Sequence, residues 1–171
     1  DPKNPDYAFG YLLSYKDSDR LKYDSLALDI AIRFRGTDAE ATAYYWLAEE
    51  ATNKRLQENY YERLKKIYLE RQPEIARAGL SSYFSLLIKT SPEKAFELAL
   101  DMVSQIKTRV PEWRHKLEMA KRYVDARGLL EADQAASAVH VLKGVKLNDR
   151  LSDSYINTGE NLRLFRAESL D

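Results

Sequence analysis

An all-α fold is predicted by three features of the sequence. Apolar residues recur at helical spacing through most of the chain, and glycine and proline are sparse and stand near segment boundaries. No period-two alternation survives beyond a few residues, and β-branched residues are scattered, so no segment reads as a strand. The helices fall into consecutive pairs. Neither member of a pair can bury its apolar stripe alone, so stacked antiparallel helix pairs, an α-solenoid, are expected.

The elements follow in order. A polar lead-in, residues 1–5, precedes a short helix from Asp6 to Tyr15 with Tyr7, Gly10, Leu13 and Tyr11 inward. A longer helix from Ser18 to Arg35 carries Leu21, Tyr23, Leu26, Ala27, Ile30, Ala31 and Phe34. Gly36 ends it, and Thr37 with Glu40 forms a capping box in which hydroxyl and carboxylate satisfy orphan amides of the next helix. The third helix, Asp38 to Thr52, is expected to bury Ala41, Tyr44, Tyr45, Ala48 and Ala51, and the fourth, Leu56 to Arg71, to bury Tyr60, Leu64, Ile67 and Tyr68.

Pro73 opens the fifth helix as its first residue, and the run from Leu80 to Ile88 is apolar almost all round, marking the most enclosed helix. Ser91 and Pro92 open the sixth, whose stripe is Ala95, Leu98, Ala99, Met102, Val103, Ile106 and Val110. In the seventh, Trp113, Leu117, Ala120 and Val124 share a face and Gly128 is the expected stop. Ala132, Ala135, Ala136, Val139 and Leu142 make the stripe of the eighth, which Gly144 caps. Asn148 or Asp149 caps a final helix with Leu151, Tyr155, Gly159, Leu162 and Phe165 inward. One domain over 1–171 is expected, with hairpins at about 6–35, 38–71, 73–110 and 111–147 and the final helix at 149–166.

Helix-opening positions recur at Asp38, Pro73, Pro111 and Asp149, and small residues recur in first helices at Gly10, Ala48, Ser82, Ala120 and Gly159. Both series step by 34 to 39 residues, the period of a two-helix repeat. Tyr44 to Ala51 reads YYWLAEEA, Tyr155 to Leu162 reads YINTGENL, and Met119 to Tyr123 reads MAKRY. Ala95 with Ala99, and Ala132 with Ala136, supply small residues in second helices. On these segments the chain resembles the tetratricopeptide repeat family, with about three and a half to four degenerate repeats over nearly its whole length. Tyr60 stands where the family places alanine. The resemblance implies a right-handed superhelical array whose concave groove is built from first helices; a compact, non-repeating bundle is the alternative reading.

Composition narrows the function classes. Lysine plus arginine and aspartate plus glutamate number 27 each, so there is no net field to hold a polyanion, and nucleic acid is not an expected partner. The related pentatricopeptide arrays bind RNA through a basic surface that this composition lacks. Cysteine is absent, which excludes disulfides and thiolate chemistry and leaves cytoplasm and periplasm open. No apolar run is long enough for direct membrane insertion. The start at Asp1 rather than Met reads as a mature product or excised domain, with a membrane tether upstream of Asp1 left open.

Nucleotide-loop, dinucleotide, nucleophile-elbow, zincin and paired-cysteine motifs are all missing, so no enzyme, cofactor or metal is expected. His115 and His140 read as structural, and the adjacent Glu49 and Glu50 as water-facing rather than proton-sharing. The resemblance implies a non-catalytic scaffold that binds a partner peptide or domain in its groove. The lining it implies is Tyr45, Glu49 and Asn53, then Tyr83, then Arg114, Lys121 and Asp125, then Glu160 and Arg163. Tyr45 and Glu49 stand where the chaperone-binding subgroup begins its carboxylate clamp, so no chaperone-tail binding is expected. Soluble domains of bacterial secretion, pilus and exopolysaccharide-export assemblies are settings in which such arrays occur. The competing expectation is self-association: a solenoid ends on an unpaired stripe, here Leu151, Tyr155, Leu162 and Phe165, through which a homodimer would form. An enzyme of unfamiliar all-α type is the remaining alternative.

Overall fold

The structure, a computed structural model, describes residues 3–132 and 134–142. Eight α-helices and no strand occur among them. These are α1 (Pro5–Leu13), α2 (Arg20–Arg33), α3 (Asp38–Glu50), α4 (Lys54–Arg71), α5 (Glu74–Thr90), α6 (Pro92–Gln105), α7 (Val110–Glu131) and α8 (Ala135–Leu142). In the first unit α1 packs on α2, α2 on α3 and α3 on α4, and in the second α7 packs on both α6 and α8. Gly144, the caps at Asn148 or Asp149 and the final helix lie outside the described residues. The chain divides into two compact units, residues 1–83 and 84–171, with the boundary inside α5.

In the first unit, ion pairs and hydrogen bonds set the helix directions. Arg20, the first residue of α2, reaches Glu50, the last of α3, at 3.4 Å. Arg71 at the end of α4 meets Glu40 near the start of α3 at 2.8 Å, while Gln57 near the start of α4 donates to the Ala48 carbonyl at 3.0 Å. Neighbours therefore run antiparallel, as short connections require. Leu12, Tyr23, Ala27, Ile30, Ala31, Ala43 and Leu47 form one buried cluster, with Phe9 edge-on to Trp46 at 4.9 Å beside it.

Several expected inner faces are rotated. On α1, Tyr7 and Tyr11 are 67% and 53% exposed, Leu13 and Gly10 are also exposed, and Leu12 with Phe9 and Ala8 turns inward instead. Phenol oxygens resist burial without partners, whereas Phe and Leu carry no polar atom; the Tyr11 and Tyr15 hydroxyls bond each other at 3.0 Å on the solvent side. Leu21 is 84% exposed, because the stripe Tyr23, Ala27, Ile30 and Ala31 lies on another side of α2. On α3, Ala39, Ala41, Ala43, Leu47 and Ala48 are buried, while Tyr44, Tyr45 and Ala51 are half-buried. Tyr61 rather than Tyr60 fills the core from α4.

The junction at Gly36 also differs from a simple capping box. Gly36 takes φ +86°, and its N–H donates to the Glu40 carboxylate at 2.9 Å. Thr37 occupies the N-cap position, yet its hydroxyl donates back to the Phe34 carbonyl at 2.7 Å rather than accepting from α3. The carboxylate half of the box is thus displaced by one residue, from the Thr37 amide onto Gly36 in the turn after α2. Asn53 caps α4 with its side-chain oxygen, which accepts from the Arg55 and Leu56 amides at 2.9 and 3.2 Å. Pro73 precedes α5 rather than opening it, and its carbonyl accepts from Ala76 and Arg77.

The second unit is built on α6, α7 and α8. Ala95, Leu98, Ala99 and Met102 are buried along α6, which Ser91 and Pro92 open as the sequence predicts; Val103 and Val110 are half-buried. Trp113 is fully buried, edge-on to Phe84 at 6.4 Å, and Arg127 near the end of α7 pairs with Glu93 at the start of α6. Gly128 does not stop α7. The helix runs on to Glu131, because Leu129 and Leu130 still find partial burial and one exposed glycine costs only about 1 kcal/mol. That extra turn shifts the start of α8, so Ala135, Ala138, Val139 and Leu142 are buried and Ala132 and Ala136 face solvent. On α7, Met119, Tyr123 and Ala126 join Ala120 in the core, and Leu117 and Val124 are only half-buried.

Two glycines inside helices separate propensity from packing. A Cβ at Gly128 would meet no atom within 4 Å, whereas one at Gly79 would lie 2.5 Å from a buried Leu64 methyl and 2.8 Å from the Tyr45 ring. Gly128→Ala should therefore stabilise the chain by about 1 kcal/mol through helix propensity alone. Gly79→Ala should destabilise it by about 1 kcal/mol, since overpacking costs about 1–3 kcal/mol against the same propensity gain. Denaturant midpoints at unchanged m-value read both, and a Gly79→Ala protein as stable as Gly128→Ala would contradict the packing argument.

Candidate interaction site

Three of the nine expected groove residues come together in the first unit. Tyr45 and Glu49 stand one turn apart on α3, and Tyr83 lies one turn after Gly79 on α5. What joins them is Tyr61 of α4. Its hydroxyl donates to Glu49 Oε1 at 2.5 Å, and its ring stacks on Tyr83 with centroids 4.0 Å apart and planes 10° from parallel. Ser82 Oγ donates to the same carboxylate oxygen at 3.2 Å. The Tyr45 ring occupies the space that the absent side chain of Gly79 leaves.

The electrostatics of the cluster keep its phenols protonated. Burial raises the Tyr61 pKa far above the ordinary tyrosine value, and donation to Glu49 together with that residue's charge adds to the effect. Tyr83 is pushed up to about 12, by burial first and then by the negative charges of Glu58 and Glu62. Tyr45 is raised by burial and by Glu49, with a Ser82 hydrogen bond acting the other way. The chemistry available is that of fixed hydrogen-bond donors. Glu49 spends its Oε1 on two neighbours of its own chain, and Tyr83 is buried, so these two side chains tie three helices together.

The other expected residues are placed separately. Asn53 is exposed, and its side-chain oxygen is occupied by the α4 cap. Arg114, Lys121 and Asp125 are all exposed on α7 in the second unit. Their spacing of seven and then four residues sets them on one helix face, above a layer in which Trp113, Ala120 and Tyr123 are buried. Glu160 and Arg163 of the groove, and Leu151, Tyr155, Leu162 and Phe165 of the self-association stripe, lie outside the described residues.

Glu49 and Glu50, adjacent in sequence, turn to different partners. Glu50 pairs with Lys16 at 2.7 Å and Arg20 at 3.4 Å, and the Lys16 bond is the main cause holding its carboxyl below the ordinary range. His115 and His140 are both exposed. Among the described residues no group of three or more His, Cys, Asp or Glu side chains is arranged to hold a metal ion, and no helix is long and apolar enough to cross a membrane. Sequence reasoning missed Tyr61 and Ser82. Tyr61 is adjacent to Tyr60 and indistinguishable from it by periodicity over so short a run of aromatics, and nothing local marks a serine for a carboxylate 33 residues away. No protein-family model, curated protein or solved structure matches the chain.

The raised tyrosines make stability depend on alkaline pH. The folded state retains phenol protons that the unfolded chain, with its ordinary pKa of 10.0, releases, so rising pH favours unfolding. The contribution is fully present below pH 10 and should be lost progressively above it. Chemical denaturation at pH 8, 10 and 11.5 should give a fall that is shallower in Tyr61→Phe, a variant also about 1 kcal/mol less stable at pH 8 for want of its bond to Glu49. Equal slopes in the two proteins would contradict the assignment.

Proposed function

We propose that this chain is a non-catalytic protein-interaction scaffold, a tetratricopeptide-like helical-repeat array that binds a peptide or domain of a partner protein through its first helices. The observation that carries the reading is the α7 face: Arg114, Lys121 and Asp125 stand exposed on a helix whose opposite side is anchored by fully buried Trp113 and Tyr123. A rigid helix that presents charged, arginine-bearing side chains loses little conformational entropy on association, and arginine is enriched among residues that dominate interface energy. Eight consecutive helices, and the 34–39 residue spacing of helix-opening and small residues in the sequence, support the repeat reading, and fold-level analogy supplies the rest of its warrant.

In this proposal Tyr45, Glu49 and Tyr83 support the first-helix surface of α3 and α5 from within, and the contact to a partner is made by the α7 face. A role as a domain of a bacterial secretion or exopolysaccharide-export assembly rests on the family resemblance.

Affinity capture with the 171-residue chain tests the proposal. Arg114→Ala combined with Lys121→Ala should reduce recovery of a captured partner at least about tenfold, as expected when interface hot spots are truncated, with an unchanged circular dichroism spectrum. Retention of every partner by the double variant would remove the α7 face as the binding surface.

A further inference from the structure

The first unit holds a second surface that the first-helix reading leaves unused. A cleft of about 480 Å³ opens between the end of α2, the start of α3 and the last half of α4. Its apolar part is made by Ala31, Ile32 and Ile67, with Tyr44 beside them; Ile67 is buried and Ile32 is 73% exposed. Its charged part is unequal. Arg71 is neutralised by Glu40, which also accepts the Gly36 N–H, so that pair belongs to the frame. Arg35, Arg63 and Lys66 line the same cleft, and none has a carboxylate partner among the described residues. The neighbouring acid Glu62 is taken by Lys65, and Glu70 is the remaining carboxylate on the cleft wall.

We propose that this cleft binds an internal acidic segment of a partner protein, one large apolar side chain flanked by two or more carboxylates. The volume falls in the range of sites that enclose a ligand group, and an apolar floor under unpaired cations calls for a ligand that carries both features side by side. Arg63 and Lys66 are three residues apart on α4 and so share a helix face, and Arg35 follows the end of α2, so cations meet the ligand from two elements. The Arg71 to Glu40 bridge, with Arg71 also bonded to the Thr37 carbonyl, fixes the wall before the ligand arrives. An anionic membrane is the poorer fit. The site is concave, two glutamates stand in its wall, and the chain as a whole has no net charge to draw it to an extended anionic surface. The inference goes beyond the proposed function, since the cleft is built mainly from second helices α2 and α4 and shares no residue with the α7 face.

A display library of random peptides inserted between flanking linkers, so that no free terminus is presented, tests the proposal on the full 171-residue chain. Enriched sequences should carry two or more acids beside a large apolar residue. Their affinity should fall at least about tenfold in Arg63→Glu with Lys66→Glu, fall in Ile32→Asp, and weaken as ionic strength rises, while Arg114→Ala with Lys121→Ala leaves it unchanged. The substituted side chains are exposed, and a wild-type circular dichroism spectrum and unfolding midpoint confirm that each variant is folded. Enrichment of neutral or basic peptides, no enrichment, or affinities indifferent to the Arg63→Glu, Lys66→Glu pair would overturn the proposal. So would binding confined to phosphatidylserine-containing vesicles and lost in that pair, which would make the anion a lipid headgroup. The α7 variants separate the two surfaces: loss only there bears on the proposed function and leaves the cleft standing.

Discussion

At the joint among α3, α4 and α5, three kinds of close contact hold helices of the first unit together. Tyr61 is almost wholly buried, so its hydroxyl must find a partner, and the Glu49 carboxylate one helix away supplies it at 2.5 Å. The same ring lies flat on Tyr83, a contact that adds about 0.5–1.5 kcal/mol to the burial of either residue. Gly79 lets the third helix approach until the Tyr45 ring and a Leu64 methyl fill the place of its side chain. The stacking joins α4 to α5, the hydrogen bond joins α3 to α4, and the close approach sets α5 against both. Together they decide the register of the start of α5 on the hairpin before it.

Around that joint, charges repeat one logic. Arg20 with Glu50, Arg71 with Glu40, and Arg127 with Glu93 each join the end of one helix to the start of another. Such pairs are half-exposed and individually contribute little to stability. Their value lies in direction, because they are satisfied only when the helices run antiparallel. The composition thus divides its equal numbers of cations and anions between the frame and the surface. Arg114 and Lys121 on α7, and Arg35, Arg63 and Lys66 at the α2/α4 cleft, are surface cations without a described carboxylate partner.

Those surfaces give the proposed scaffold its character. The α7 face is a charged strip over a buried aromatic layer, and the cleft is an apolar floor edged by cations. Each lies on described residues of one compact unit.

The all-α class and most of the helix ends were readable in the sequence, because they depend on local physics. Helical periodicity, the positive-φ glycine at 36 and the Ser91 with Pro92 start are decided within a turn or two of chain. Tyr45, Glu49 and Tyr83 were named through the family resemblance, and in the structure Tyr61 links Glu49 to Tyr83. Their roles were not readable. Whether Glu49 meets solvent or a phenol depends on Tyr61 and Ser82, which are 12 and 33 residues away. Periodicity gives a helix an apolar side only to within a residue or so, so the choice of Leu12 over Tyr11 or Leu13, and of Tyr61 over Tyr60, fell to packing. There a purely apolar side chain, or a phenol with a partner in reach, costs less to bury than a phenol without one. Gly128 makes the same point from the other direction. A local stop signal worth about 1 kcal/mol is overridden when the next turn has contacts to make, and only the tertiary structure decides whether it has.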